Sequence, residues 1–148
     1  MMLKSRDDLI SLRQSYVSAV KNEKKKIIIC TGMGCVSSGS LDIYNLLLEL
    51  MKLRGLTYDV ELKPEPHNSN IRVSKGGCPG YCEIGPLAKI EPQGWLYTKI
   101  NLSDCEEIID RTLVKGELIE RLCYRQDDQI YVEKDSIPFY QKQKHVVL

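Results

Sequence analysis

Residues 26–35 read Lys26-Ile27-Ile28-Ile29-Cys30-Thr31-Gly32-Met33-Gly34-Cys35, and this stretch decides the fold. Three consecutive β-branched isoleucines behind a charged flank predict a short buried strand over 26–30. A Gly/Ser-rich loop follows, from Thr31 to Ser40. A helix is predicted from near Ser40, carrying Leu41, Tyr44, Leu47, Leu48 and Met51, and apolar on so many sides that it must be largely buried. Arg54-Gly55 supplies a cation for its C-terminus and a glycine just past it. Thr57–Lys63 then alternates, with Tyr58, Val60 and Leu62 on one side and Asp59 and Glu61 on the other, as a strand does. The order strand, loop, helix, strand is a β-α-β unit, for which the right-handed crossover is the expected hand.

Working outward toward the C-terminus, Lys63-Pro64-Glu65-Pro66-His67-Asn68 breaks the pattern, and Ile71-Arg72-Val73 is a shorter extended piece. A second glycine-rich loop spans 76–86. Leu87–Glu91 and Trp95–Ile100 form a hairpin around Pro92-Gln93-Gly94. Ser103-Asp104-Cys105-Glu106 has the form of a capping box, opening a helix that runs through Ile108, Ile109 and Leu113 to Gly116. Leu118–Tyr124 is a short apolar appendage. On the other side, residues 5–22 predict a helix capped by Ser5, with Asp7 and Asp8 in its first turn. The fold class is therefore α/β, a thioredoxin-like arrangement (β-α-β then β-β-α) with an extra N-terminal helix and an extended C-terminal tail. Three segments follow: 1–24 as the N-terminal helix, 25–124 as the thioredoxin-like domain, and 125–148 as a linker or the start of a following domain. Thioredoxin folds keep a cis proline where Pro86 stands, although most X–Pro bonds are trans.

Composition excludes several classes. The chain has 148 residues, 43% hydrophobic and 28% charged, enough for one domain with its own core. Lys+Arg number 21 against 20 Asp+Glu, a net charge of +1, which is not the basic footprint of a nucleic-acid binder. Lys24-Lys25-Lys26 reads as a solubilising strand flank. No apolar run approaches the roughly 18–20 residues of a membrane span, and the N-terminus lacks the pattern of a signal peptide. The expected localisation is cytoplasmic. In that compartment clustered cysteines favour metal or redox chemistry over structural disulfides.

Four of the six cysteines form a pattern: Cys30-x4-Cys35, then 42 residues, then Cys78-x3-Cys82. Gly32, Gly34, Gly76, Gly77, Gly80 and Gly85 surround them. A cluster of two irons and two sulfides takes four thiolates and needs backbone that can pass close by, which glycine permits. A four-cysteine zinc site also fits these spacings, although x2 knuckles are commoner. A thioredoxin-type dithiol would use C-x-x-C, which is absent here. Cys105 and Cys123 stand apart from the glycine loops and read as ordinary buried thiols. His67 and His145 read as loop and tail residues, Trp95 as core, and Asp104 and Glu106 as cap residues. Neither GxGxxG after a strand nor GxxxxGK[ST] occurs.

CTGMGC (30–35) and GGCPGYCEIGPLAKI (76–90) resemble the thioredoxin-like [2Fe–2S] ferredoxins, including the 24-kDa-type subunit of NADH dehydrogenases. The likeness is closer still to the N-terminal ferredoxin-like extension of the 51-kDa-type flavoprotein subunit in NAD(P)-linked, often electron-bifurcating, hydrogenases. LVKGELIERLCY (113–124) and IPFYQKQKHVVL (137–148) support that second likeness. The resemblance implies a [2Fe–2S] cluster with Cys30, Cys35, Cys78 and Cys82 as ligands. It implies one-electron transfer as the function, with no catalysis by this chain alone. FMN and NAD(P) belong, on the same footing, to a domain beyond Leu148. The implied partners are that flavoprotein domain and other iron–sulfur subunits of an oxidoreductase or hydrogenase complex, with a homodimer possible. Met33, Val36, Tyr81 and Ile84 are the expected docking patch beside the cluster.

Overall fold

The computed structural model of the chain describes residues 5–22, 25–56, 58–59 and 71–144. Its centre is β1 (Lys25–Cys30), where Ile27 and Ile29 are fully buried. β1 pairs in parallel with β3 (Ile71–Gly76) on one side and antiparallel with β4 (Ala88–Glu91) on the other. β5 (Trp95–Tyr97) continues the hairpin from β4. β2 (Tyr58–Asp59) adds a short parallel edge on β3, giving the sheet order β2-β3-β1-β4-β5.

The expected β-α-β unit is present with one change. The parallel partner of β1 is β3, read from sequence as a minor extended piece, and not the alternating stretch 57–63. Of that stretch only Tyr58 and Asp59 are described, at the sheet edge; Val60 and Leu62 lie outside the described residues. Ile71 and Val73 are buried in the central core. Burial of apolar area outweighs the alternation of a half-exposed strand, and so the shorter segment takes the central place.

Helix α1 (Arg6–Asn22) begins as expected: the Ser5 N–H donates to Asp8 Oδ2 (3.0 Å) and the Asp8 N–H to Ser5 Oγ (3.1 Å). After β1 the predicted loop instead holds a short helix, α2 (Met33–Ser37), that buries Cys35. Gly39, at φ 91°, breaks it and starts α3 (Ser40–Leu53). Ile43, Tyr44, Leu47 and Met51 of α3 pack with Ile27, Ile29 and Val73 in the main core. Gly55 ends α3 at φ 64°.

Beyond the hairpin, a 3-10 turn (Leu102–Asp104), the single α-turn α4 (Cys105–Glu107) and a π-helical stretch (Ile108–Lys115) make one continuous helical run. The capping box sits two residues before its predicted place. Asn101 is the cap, and its N–H donates to Asp104 Oδ2 at 2.8 Å. Asn101 satisfies the end of the turn that forms, whereas Ser103 already lies inside it. Gly116, at φ 78°, closes the run. The Gly85–Pro86 and Glu91–Pro92 bonds are cis. Among the described residues, no helix is long and apolar enough to cross a membrane.

The buried Tyr97 hydroxyl joins this helix to the sheet. It shares a 2.8 Å hydrogen bond with Thr112 Oγ1 and accepts the Ile119 N–H at 3.1 Å. Tyr97→Phe leaves that buried N–H without a partner and is expected to cost about 1–3 kcal/mol. Urea unfolding of the two proteins under identical conditions measures the difference.

Residues 118–144 complete the domain and do not trail from it. β6 (Tyr124–Gln126) and β7 (Gln129–Tyr131) form a hairpin. The Leu96 N–H donates to Val132 O at 2.8 Å and the Thr98 N–H to Leu122 O at 2.7 Å, which closes the outer edge of β5. Pro138 opens the single turn α5 (Pro138–Gln141). Ile137 and Tyr140 are buried with Cys30, Cys35, Ile84, Leu87 and Leu96 in a second core. The segment 125–148, read from sequence as a linker, thus packs on the domain through at least Gln141. Its apolar residues lack a core of their own because they share this one.

Candidate metal centre

Parallel pairing of β1 and β3 sends both cysteine loops out at the same end of the sheet. Cys30 is the last residue of β1; it pairs with Gly76, and its N–H donates to Leu87 O at 2.9 Å. Thr31 ties the loops together, since its N–H (2.9 Å) and hydroxyl (3.0 Å) both donate to Gly76 O. Cys35 is buried on α2. Cys78 and Cys82 are exposed on the second loop, with their sulfurs 3.6 Å apart. Cys82 opens a 3-10 turn, Cys82–Ile84. Cys30 lies within hydrogen-bonding reach of Cys35 and interacts with Cys78. All four sequence-predicted cysteines therefore gather at one end of the fold as free thiols, with Cys105 and Cys123 elsewhere.

Glycines make this gathering possible in a specific way. A Cβ on Gly85 would stand 2.7 Å from Cys35 Sγ, and one on Gly32 would stand 2.7 Å from Cys78 Cβ. On Gly34 it would meet Cys82 Cβ at 3.0 Å and Sγ at 3.1 Å. Any side chain at these three positions pushes into a cysteine. Gly80, at φ 91°, turns its N–H onto Cys78 Sγ at 3.3 Å.

The four thiols differ electrostatically. Burial pushes Cys30 up to about 11. The Gly80 N–H lowers Cys78 by bonding its thiolate. Cys82 is raised because its neighbour Cys78 competes for the same negative charge. Four thiolates this close repel one another, and a bound cationic centre is what relieves such a set. The sulfurs come from two loops, and the close approaches they require are reserved by glycine. That layout fits a wider core with four thiolate ligands.

The C-terminal segment packs against one side of this end, a feature that sequence reasoning did not find. Tyr81, between Cys78 and Cys82, stacks on Phe139 with centroids 4.2 Å apart, and its hydroxyl lies 3.1 Å from that of Tyr124. The available signal was the apolar Ile137-Pro138-Phe139-Tyr140 in a polar tail. Of the expected docking residues, Met33 is 88% exposed and Val36 is at the surface. Tyr81 is half covered by the C-terminal segment. Ile84 is only 4% exposed, because the turn after Cys82 folds it into the second core, and it contributes no docking surface.

Cys105 and Cys123 are buried, as expected, and burial pushes each from 9.0 up to about 11. The unfolded chain ionises these thiols first as pH rises. Their stabilisation is therefore complete below pH 9 and is lost as pH climbs to about 11. Urea midpoints across this interval are expected to fall, and less steeply for a C105A/C123A chain.

No protein-family model matches the chain. It is 28% identical over 109 residues to a 2Fe-2S ferredoxin of Clostridium pasteurianum, covering 68% of this chain and 96% of that one. A 2Fe-2S ferredoxin of Aquifex aeolicus is 25% identical over 88 residues, covering 60% of this chain and 70% of that one. The crystal structure of the wild-type thioredoxin-like [2Fe-2S] ferredoxin from Aquifex aeolicus superposes with a TM-score of 0.55 at 22% identity, over 70% of this chain and 99% of that one. Over about two thirds of its length the chain is thus similar in sequence to 2Fe-2S ferredoxins, and it shares its fold with a thioredoxin-like [2Fe–2S] ferredoxin.

Proposed function

We propose that this chain carries single electrons on a [2Fe–2S] cluster bound through Cys30, Cys35, Cys78 and Cys82. The observation that carries the reading is the meeting of four free thiols from two loops, with glycine at the three positions where a Cβ would strike a cysteine. When bound, such a cluster supplies one-electron redox chemistry, near about −400 mV in plant-type ferredoxins. The chain does the rest. Its cysteines bind as thiolates, the Gly80 N–H donates to the Cys78 sulfur, and the C-terminal segment keeps water from the Cys30 side. One electron enters and one leaves, with no proton and no general acid or base. Met33 and Val36 form the exposed apolar rim against which a redox partner docks.

The finer reading places this chain as the ferredoxin-like part of an NAD(P)H-linked oxidoreductase or hydrogenase complex. Its support is the resemblance carried by residues 113–124 and 137–148. On that reading residues 125–148 lead toward a flavoprotein domain holding FMN and NAD(P), other iron–sulfur subunits are the partners, and the setting is cytoplasmic.

Anaerobic purification with metal analysis, followed by low-temperature EPR of the dithionite-reduced protein, tests the central claim. Two irons per chain and a rhombic S = 1/2 signal support it. One zinc per chain and no signal after reconstitution point instead to a structural subunit-interaction module.

A further inference from the structure

Tyr140 is buried to 7% exposure, and among the described residues its hydroxyl has no hydrogen-bond partner. Buried phenol hydroxyls normally find one. The ring is held on several sides. Lys134 Nζ lies over its face at 4.8 Å, Phe139 packs edge-on at 5.1 Å, and Tyr81 does so at 6.3 Å. Its core neighbours include Cys30 and Cys35. Gln143, three residues further on, reaches within 4 Å of a Cβ built on Gly80, beside Cys78. Lys134 lines the same cleft as Cys30, Gly77 and Pro79. The C-terminal segment therefore buries an unpartnered donor in the same core that holds Cys30 and Cys35.

We propose that the Tyr140 hydroxyl donates a hydrogen bond to a sulfur of the bound metal centre, and that the C-terminal segment thereby helps set its reduction potential. The inference rests on the cluster reading above. A donor to sulfur stabilises the more negative, reduced state, so it makes the potential more positive. The two cysteine loops supply the ligands, and the segment 134–143 supplies this donor from outside them.

The test uses the full chain, loaded with cluster, and potentials read by EPR-monitored titration. Tyr140→Phe is expected to keep two irons and the visible spectrum while its potential shifts negative. The hydrogen/deuterium sensitivity of its Fe–S Raman bands is expected to diminish. Tyr131→Phe, which removes a hydroxyl already bonded to Gln129, is expected to leave the potential unchanged. Placing 3,5-difluorotyrosine at position 140, a stronger donor of nearly the same shape, is expected to shift the potential positive. This measurement stands even if Tyr140→Phe loads poorly. A fully loaded Tyr140→Phe or difluorotyrosine protein with the wild-type potential overturns the inference. Failure of the wild-type chain itself to hold two irons overturns the cluster reading instead, so the two failures are told apart.

Discussion

Cys82→Ala is expected to lower the bound iron of this chain by more than about tenfold, since even residues that only support a metal ligand cost 10–100-fold when removed. The effect should be chemical and not a failure of folding. Cys82 is exposed on a 3-10 turn, outside both cores. Alanine keeps the Cβ, and Gly34 loses a sulfur neighbour without gaining a clash. Far-UV circular dichroism should therefore match the parent while iron content and visible absorption collapse. Cys105→Ala, deep beneath α3, should retain iron. A Cys82→Ala protein with two irons and the parent spectrum would remove Cys82 from the ligand set.

Removing residues 124–148 is the second large effect. The cut takes away Ile137 and Tyr140, whose burial contributes about 3–6 kcal/mol together, from a domain whose whole stability is on the order of 5–15 kcal/mol. It also deletes the carbonyl of Val132 that receives the Leu96 N–H, and it uncovers Leu87, Leu96 and Cys30. The truncated chain is expected to melt well below the parent and to lose iron quickly in air. Thermal unfolding followed at 222 nm, with iron release in parallel, reports both. Equal melting temperatures would mean that the segment is a passenger.

Much of this was legible in the sequence. Ile27-Ile28-Ile29, the helix ends at Gly55 and Gly116, and the turn at Pro92-Gln93-Gly94 each have a local cause, and local causes survive folding. The same holds for the four clustered cysteines, whose setting of glycines is visible in one dimension. What sequence missed depends on distant partners. Ile71-Arg72-Val73 looked minor because its worth comes from lying between β1 and β2. Ile84 looked like surface beside a ligand until the 3-10 turn rotated it inward. Ile137 and Tyr140 looked like tail residues because the core they enter is formed a hundred positions earlier, at Cys30 and Cys35.

The covered edge of β5 bears on how the domain can associate. An open strand edge invites pairing with any extended chain, including another copy. Here the chain meets its own invitation: bridges join Trp95 to Glu133 and Tyr97 to Cys123, flanking the paired Leu96 and Thr98 amides. Sheet-to-sheet growth is blocked on that flank. Anything that meets the domain on that flank has to do so through side chains and not through a shared backbone ladder.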